Sequence, residues 1–274
     1  MAILTGPRKI ALACLVLAGV ITSLLLTQGE RVTAATTVVS WSPPGTKPLP
    51  DAEAAGLVSP AREVRPANKR ANRYMPSSRQ LDAFRRARTS HGQTMVEFNP
   101  LYRYVTGRPK GLRRATTDEL IQWVSHKWGI PTNVIRAQMV VESHWRQGFM
   151  GDPEHVPADW YGRYPRQSRA RGSDVFESLG IAQVKWRPDG SVGAGTEPLR
   201  WRSTAFNLDY YGATLRFFYD GDCRWCGPGY GPGQASNSVA AWYSPDPWNN
   251  GDARGYLRRV QQAIGSRAWT RLGG

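Results

Sequence analysis

With 274 residues, including 11 Trp, 11 Tyr and 7 Phe, the chain has enough apolar bulk for one sizeable domain or two small ones, which excludes disorder throughout. Its formal charge of +15 directs it toward polyanions: nucleic acid, anionic lipid or the acidic polymers of a cell wall.

Arg8 and Lys9 precede an apolar run over residues 10–26, the pattern of a secretory signal. Val32, Thr33 and Ala34 offer small residues for cleavage, yet the run is nearly long enough to span a bilayer. Residues 1–35 therefore read as a signal peptide or a retained membrane anchor. The protein is expected to be exported, either secreted to the wall or held at the outer face of the cytoplasmic membrane. Export favours anionic lipid or wall polymers over nucleic acid, and no nucleic-acid partner is expected. Residues 36–60, with Pro43, Pro44, Gly45, Pro48 and Pro50, lack periodicity and read as a linker. From Arg62 to Arg114 there are fourteen Lys or Arg against three Asp or Glu, most of the chain's excess charge. The composition predicts a solvated, largely disordered arm that holds the protein on anionic wall polymers or an anionic membrane surface. Within it, residues 78–88 suit a short helix presenting Leu81 and Phe84.

Order is expected to begin near Thr116 and to fill residues 115–274. Thr116 and Glu119 form a capping box, because each side chain can satisfy a free backbone N–H at a helix start. Leu120, Ile121, Val124 and Trp128 continue as an apolar stripe, ended by Gly129 and Pro131. A second helix follows, on which Ile135, Met139 and Glu142 fall at i, i+4 and i+7. On that face Glu142 would be a carboxyl among apolar neighbours, an environment that raises its pKa and suits it to hold a proton near neutral pH; the alternative for this segment alone is a polar residue at a helix end that points into solvent. Residues 148–173, rich in Gly, Pro and Arg, read as a long loop. Further helices are predicted over residues 203–219, 237–243 and 253–264, and no stretch alternates strongly enough to demand a sheet. The fold class is therefore mainly α. Once the first segment with Cys14 is set aside, Cys223 and Cys226 are the remaining thiols. Zinc would need two more ligands, and a redox motif a strand before and a helix after; export favours a disulfide that staples a loop.

Taken in order, these pieces resemble the catalytic domain shared by lytic transglycosylases and goose-type lysozymes, over about residues 115–265. The Glu-Ser pair of that family is matched by Glu142-Ser143, and its Gly-Leu-Met-Gln segment by Gly180-Ile181-Ala182-Gln183. Its downstream Asn, with Leu eight residues later, is matched by Asn207 and Leu215. The family's Ala-Tyr-Asn-x-Gly becomes Ala240-Ala241-Trp242-Tyr243-Ser244, which with Trp248 looks like a Trp-Tyr-Ser-Gly-x-Trp variant carrying Pro245 in the Gly position. Gly212 also falls one place later after Asn207 than the family pattern has it. The resemblance implies a lysozyme-like helical domain that cleaves peptidoglycan between N-acetylmuramic acid and N-acetylglucosamine, as a monomer, with no cofactor and no metal. It makes Glu142 the acid and base and puts Ser143, Gly180, Gln183, Asn207, Trp242 and Tyr243 at the glycan, with the Tyr243 hydroxyl available to Glu142.

Glycoside cleavage normally uses two carboxylates. Asp152, Glu154, Asp159, Asp174 and Glu177 lack an apolar face in the sequence, so a second catalytic acid is not evident. One acid suffices if the substrate brings its own nucleophile. In the resembled transglycosylases the C6 hydroxyl of N-acetylmuramic acid attacks C1 and leaves a 1,6-anhydro end. A hydrolytic muramidase and a non-catalytic wall-binding protein are the alternatives. Trp160, Tyr161, Tyr164, Trp186, Trp201, Tyr210, Tyr211, Trp242 and Trp248 exceed what a small core needs, and part of this set is expected to line a glycan groove.

Overall fold

In the computed structural model, Val38 and residues 40–272 are described, so the expected signal or anchor segment lies outside the described residues. Helices of six residues or more are α1 Asp51–Gly56, α2 Ser78–Arg86, α3 Thr117–Trp128, α4 Thr132–Ser143, α5 Thr204–Tyr219, α6 Ala235–Tyr243 and α7 Gly251–Gly265. The chain is mainly helical, as its sequence predicts. Among the described residues no helix is long and apolar enough to cross a membrane.

The capping box at α3 forms as expected: Thr116 Oγ1 accepts from the Glu119 N–H at 3.2 Å, and Glu119 Oε2 accepts from the Thr116 N–H at 2.8 Å. The stripe Leu120, Ile121, Val124 and Trp128 is buried, and the helix ends at left-handed Gly129. It packs across α5, which is buried on nearly every side and so forms the axis of the domain. At their crossing a Cβ on Gly212 would lie 2.4 Å from the Trp128 ring, so only Gly allows this approach. On α4, Ile135 and Met139 are fully buried, and the inward face runs on to Glu142 one turn later.

Three sequence expectations are corrected. A three-stranded antiparallel sheet exists, in the order β1 Met150–His155, β2 Asp174–Leu179, β3 Val184–Lys185. Its first strand runs through the stretch read as a long loop. The β1 residues are nearly all exposed, so no burial constraint imposed an alternating pattern there.

The linker expected over 36–60 and the arm 62–114, expected to be largely disordered, are folded into the core where described: Trp41 stacks on Tyr219 at 4.4 Å, and Ala54 and Ala55 of α1 are buried. Leu81 and Phe84 of α2, Met95, Tyr102 and Val105 are all buried in the same apolar cluster as α3 and α5. Phe84 packs edge-on against Phe206 at 5.3 Å, and Tyr102 stacks on Tyr210 at 4.9 Å. Polar anchors finish the docking. Glu63 accepts from the first N–H of α3 at 2.9 Å, and Asn68 Nδ2 donates to the Trp145 carbonyl at 2.7 Å. Asp209 of α5 accepts from the N–H groups of Thr106 and Gly107 and from Lys127 Nζ at 2.9 Å. Each buried Leu, Phe or Met contributes roughly 1.5–3 kcal/mol relative to an exposed one. Few such residues, well spaced, outweigh the charge excess, because the segment's arginines can remain at the surface while its apolar residues turn inward.

Candidate active site

Glu142 occupies the last turn of α4 and lines a cleft of about 1240 Å³. The helix is stopped there by two consecutive left-handed residues, His144 and Trp145, whose N–H groups bond back to the carbonyls of Val140 and Met139. The chain then turns into β1. Of the five non-Gly residues with left-handed backbone among the described residues, four lie at this place: His144 and Trp145 directly after the acid's helix, and Asp152 and Gln183 on the cleft wall. Such conformations are costly and cluster where a surrounding structure imposes a functional geometry.

The acid is held by two donors on one oxygen. The Tyr256 hydroxyl donates to Glu142 Oε1 at 2.5 Å, and the Trp242 indole N–H donates to the same atom at 3.0 Å. No described residue donates to Oε2. Tyr256 is itself fixed from behind, accepting from Gln138 Nε2 at 3.1 Å, while Tyr211 donates to Gln138 Oε1 at 2.5 Å. Gln138, Tyr211 and Tyr256 are all buried.

Burial raises the Glu142 carboxyl from its ordinary 4.5 to about 7. The bonds from Tyr256 and Trp242 oppose this shift, the negative charge of Asp152 adds to it, and the positive charge of Arg259 subtracts from it. Desolvation wins. The carbonyl end of α4 acts in the same direction, since the helix dipole disfavours a negative charge there. Near neutral pH the group therefore exists in both forms, able to give a proton and to take one back.

The sequence-predicted residues divide into two groups. Glu142, Gln183, Trp242 and Tyr243 meet at the cleft. Gln183 Nε2 is committed to the carbonyls of Gly180 at 2.7 Å and Phe149 at 3.2 Å, while its Oε1 receives no bond from a described residue and stays available to a ligand N–H or O–H. Tyr243 is half exposed and does not reach the acid; it stacks on Tyr256 with centroids 5.0 Å apart. The hydroxyl expected from Tyr243 comes instead from Tyr256.

Ser143, Gly180 and Asn207, expected at the glycan, lie buried behind the wall and brace it. Ser143 Oγ donates to the Ile181 carbonyl at 2.8 Å, tying α4 to the turn between β2 and β3. Asn207 Oδ1 accepts from the Ala182 N–H at 2.8 Å, and its Nδ2 donates to the carbonyls of Leu179 and Arg200. Gly180, at φ 93°, must lack a Cβ because one would sit 2.2 Å from that Nδ2. Gln147, which the sequence reading passed over, adds a bond from the Ile181 N–H at 3.1 Å to its Oε1.

A second carboxylate also faces the cleft. Asp152 accepts from Ser178 Oγ at 2.6 Å and pairs with Lys185 Nζ at 3.4 Å. Of the surplus aromatic residues named from the sequence, Tyr210 and Trp242 line the cleft, whereas Tyr164 and Tyr211 are core. Tyr256 belongs to no motif legible in the sequence; it sits on the buried stripe Ala253, Tyr256, Val260, Ala263 of α7, and that helical spacing is its one sequence signal. Cys223 and Cys226 are disulfide-bonded and buried. Among the described residues no group of three or more His, Cys, Asp or Glu is arranged to hold a metal ion.

No protein-family model, curated protein or solved structure matches the chain.

Proposed function

We propose that the protein is a peptidoglycan lytic transglycosylase with a lysozyme-like catalytic domain and Glu142 as its single general acid and base. The observation that carries this reading is Glu142 on the lining of a cleft, with Oε1 held by Tyr256 and Trp242, Oε2 receiving no bond from a described residue, and burial raising the carboxyl to about 7. In the proposed reaction Oε2 protonates the oxygen leaving toward N-acetylglucosamine as the bond from C1 of N-acetylmuramic acid breaks. The resulting carboxylate takes the proton of the C6 hydroxyl, whose oxygen closes on C1 and gives the 1,6-anhydro end. The acid is regenerated and no water is consumed. Gln183 and the rings of Trp242 and Tyr243 offer an amide and flat faces to the sugars.

Export through the 1–35 segment belongs to this reading, as does action as a monomer on glycan strands in or near the wall. The charge of +15 would concentrate the protein on anionic wall polymers or lipid. A second reading, hydrolysis by a muramidase, is favoured by Asp152, which faces the same cleft and could activate water opposite Glu142. Mass analysis of muropeptides released from purified walls separates the two. Anhydro ends, abolished in Glu142→Gln and retained in Asp152→Asn, are expected. Reducing ends that vanish in Asp152→Asn would establish hydrolysis, and a folded Glu142→Gln variant with full activity would remove Glu142 from the chemistry.

A further inference from the structure

The cleft holds a second aromatic surface that the proposed chemistry does not use. Cys223 and Cys226 are buried, and between them Trp225 is carried outward to 38% exposure on the lining of the cleft that contains Glu142. Its indole lies nearly parallel to Phe98, with centroids 5.0 Å apart at 22°, and to Phe217, at 5.6 Å and 27°. The two Phe rings are 6.4 Å from each other. Rings on opposite faces of one indole would each stand about 3.5–4 Å from its plane, and hence roughly 7–8 Å or more apart. The shorter separation puts both Phe rings behind one face and leaves the other to the cleft.

Three separate parts of the chain build this surface: the one-turn helix Met95–Phe98, α5, and the disulfide loop. A ring backed by two others is held rigidly, and a flat rigid face gains contact with sugar C–H surfaces at little entropic cost. Asp222 and Arg224 of the same loop also line the cleft, with side chains able to hydrogen-bond sugar hydroxyls. We infer that Trp225 is the platform of a distal sugar subsite, occupied by the same glycan strand whose scissile bond lies at Glu142, and that it gives the protein a preference for long strands. The inference rests on the proposed glycan-cleaving function. The occupant is a sugar ring because the platform is continuous with the cleft of the acid and is flanked by polar groups.

The test uses the full chain with Glu142→Gln, so that ligand is not consumed, and titrates N-acetylglucosamine trimer and hexamer by calorimetry. The quantity read is the gain in affinity from trimer to hexamer. Trp225→Leu keeps apolar packing against Phe98 and Phe217 but removes the flat face, and it should cut that gain about five- to tenfold, the scale of one aromatic contact. Trp225→Tyr should retain most of it. An unchanged gain in Trp225→Leu, equal weakening of both oligomers, or a Tyr variant as poor as the Leu variant would overturn the subsite. Digestion of walls by the chain with Glu142 intact keeps the two readings apart. Glu142-dependent digestion with a gain indifferent to Trp225 defeats the subsite alone, while a Trp225-dependent gain without digestion defeats the cleavage reading alone.

Discussion

Replacing Tyr256 by Phe removes one hydroxyl from beside the acid and preserves the ring that stacks on Tyr243. That hydroxyl donates to Glu142 Oε1 at 2.5 Å and favours the charged carboxylate over the neutral acid. A hydrogen bond to a charged group contributes about 1.5–3 kcal/mol, and one pKa unit corresponds to about 1.4 kcal/mol. Losing the donor should therefore raise Glu142 by about 1–2 units above its value of about 7. Because the first step of the proposed reaction needs the protonated acid, the alkaline limb of kcat/KM is expected to move upward, from near pH 7 to roughly pH 8–9. The rate at the optimum should fall, since the carboxyl loses a fixed orientation and Gln138 Nε2 loses its acceptor. The assay is solubilisation of purified peptidoglycan across about pH 5–10, with circular dichroism to show that the variant is folded. Trp242→Phe, which gives up the longer bond of 3.0 Å to the same oxygen, should shift the limb the same way by less. An alkaline limb that stays in place or moves down in Tyr256→Phe would refute the assignment of that limb to Glu142.

Glu142→Gln should stabilise the fold at neutral and alkaline pH while ending cleavage. The folded carboxyl titrates at about 7 and the unfolded one near 4.5. Below the unfolded value the acid is neutral in both states and carries no penalty; as pH rises through 7 the folded state must ionise it, at a cost of up to roughly 3 kcal/mol, less any solvent screening at the cleft. Urea midpoints of the wild type and the Gln variant should thus diverge between about pH 5 and pH 8, and a gap independent of pH would contradict a desolvated carboxyl. Phe84→Ala, in the Arg-rich segment, should cost about 3–5 kcal/mol in denaturant unfolding, since its ring is fully buried against Phe206 and Tyr210. An unaltered midpoint would return that segment to the status of a loose arm.

The elements legible in the sequence are those whose signals are local. The α3 capping box, its stripe and its Gly stop are read within a few residues, and α5 to α7 follow from helical spacing. What stayed hidden depends on partners far along the chain. The β1 strand shows no alternation because its side chains face solvent on nearly all positions. Residues 62–114 looked disordered because composition counts charges, whereas their order comes from a few apolar anchors and from carboxylates elsewhere. Asp209 alone, more than 100 positions away, satisfies two of their backbone N–H groups. Trp225 was obscured by its setting, since a Cys-x-x-Cys loop rich in Gly and Pro reads as a staple, and only Phe98 and Phe217 make its ring a platform.

At the site itself, the sequence located the acid but not what tunes it. Glu142 stood out as a carboxyl on the inward face of α4, and Trp242 fell within a recognisable segment. Tyr256 resembles any core residue on α7, and its role exists only because four helices converge: Trp242 of α6 and Tyr256 of α7 both donate to one oxygen of Glu142, while Gln138 of α4 donates to the Tyr256 hydroxyl and is itself held by Tyr211 of α5. The Glu142 pKa is for this reason a property of tertiary packing. Ser143, Gly180 and Asn207 looked like ligands of a sugar because they recur at motif positions, yet each bonds or fits the turn that joins β2 to β3. They fix that turn against α4 and α5, and with it Gln183 on the lining of the same cleft as Glu142. What these three residues build is therefore a frame, and that frame helps hold one carboxyl partly out of water.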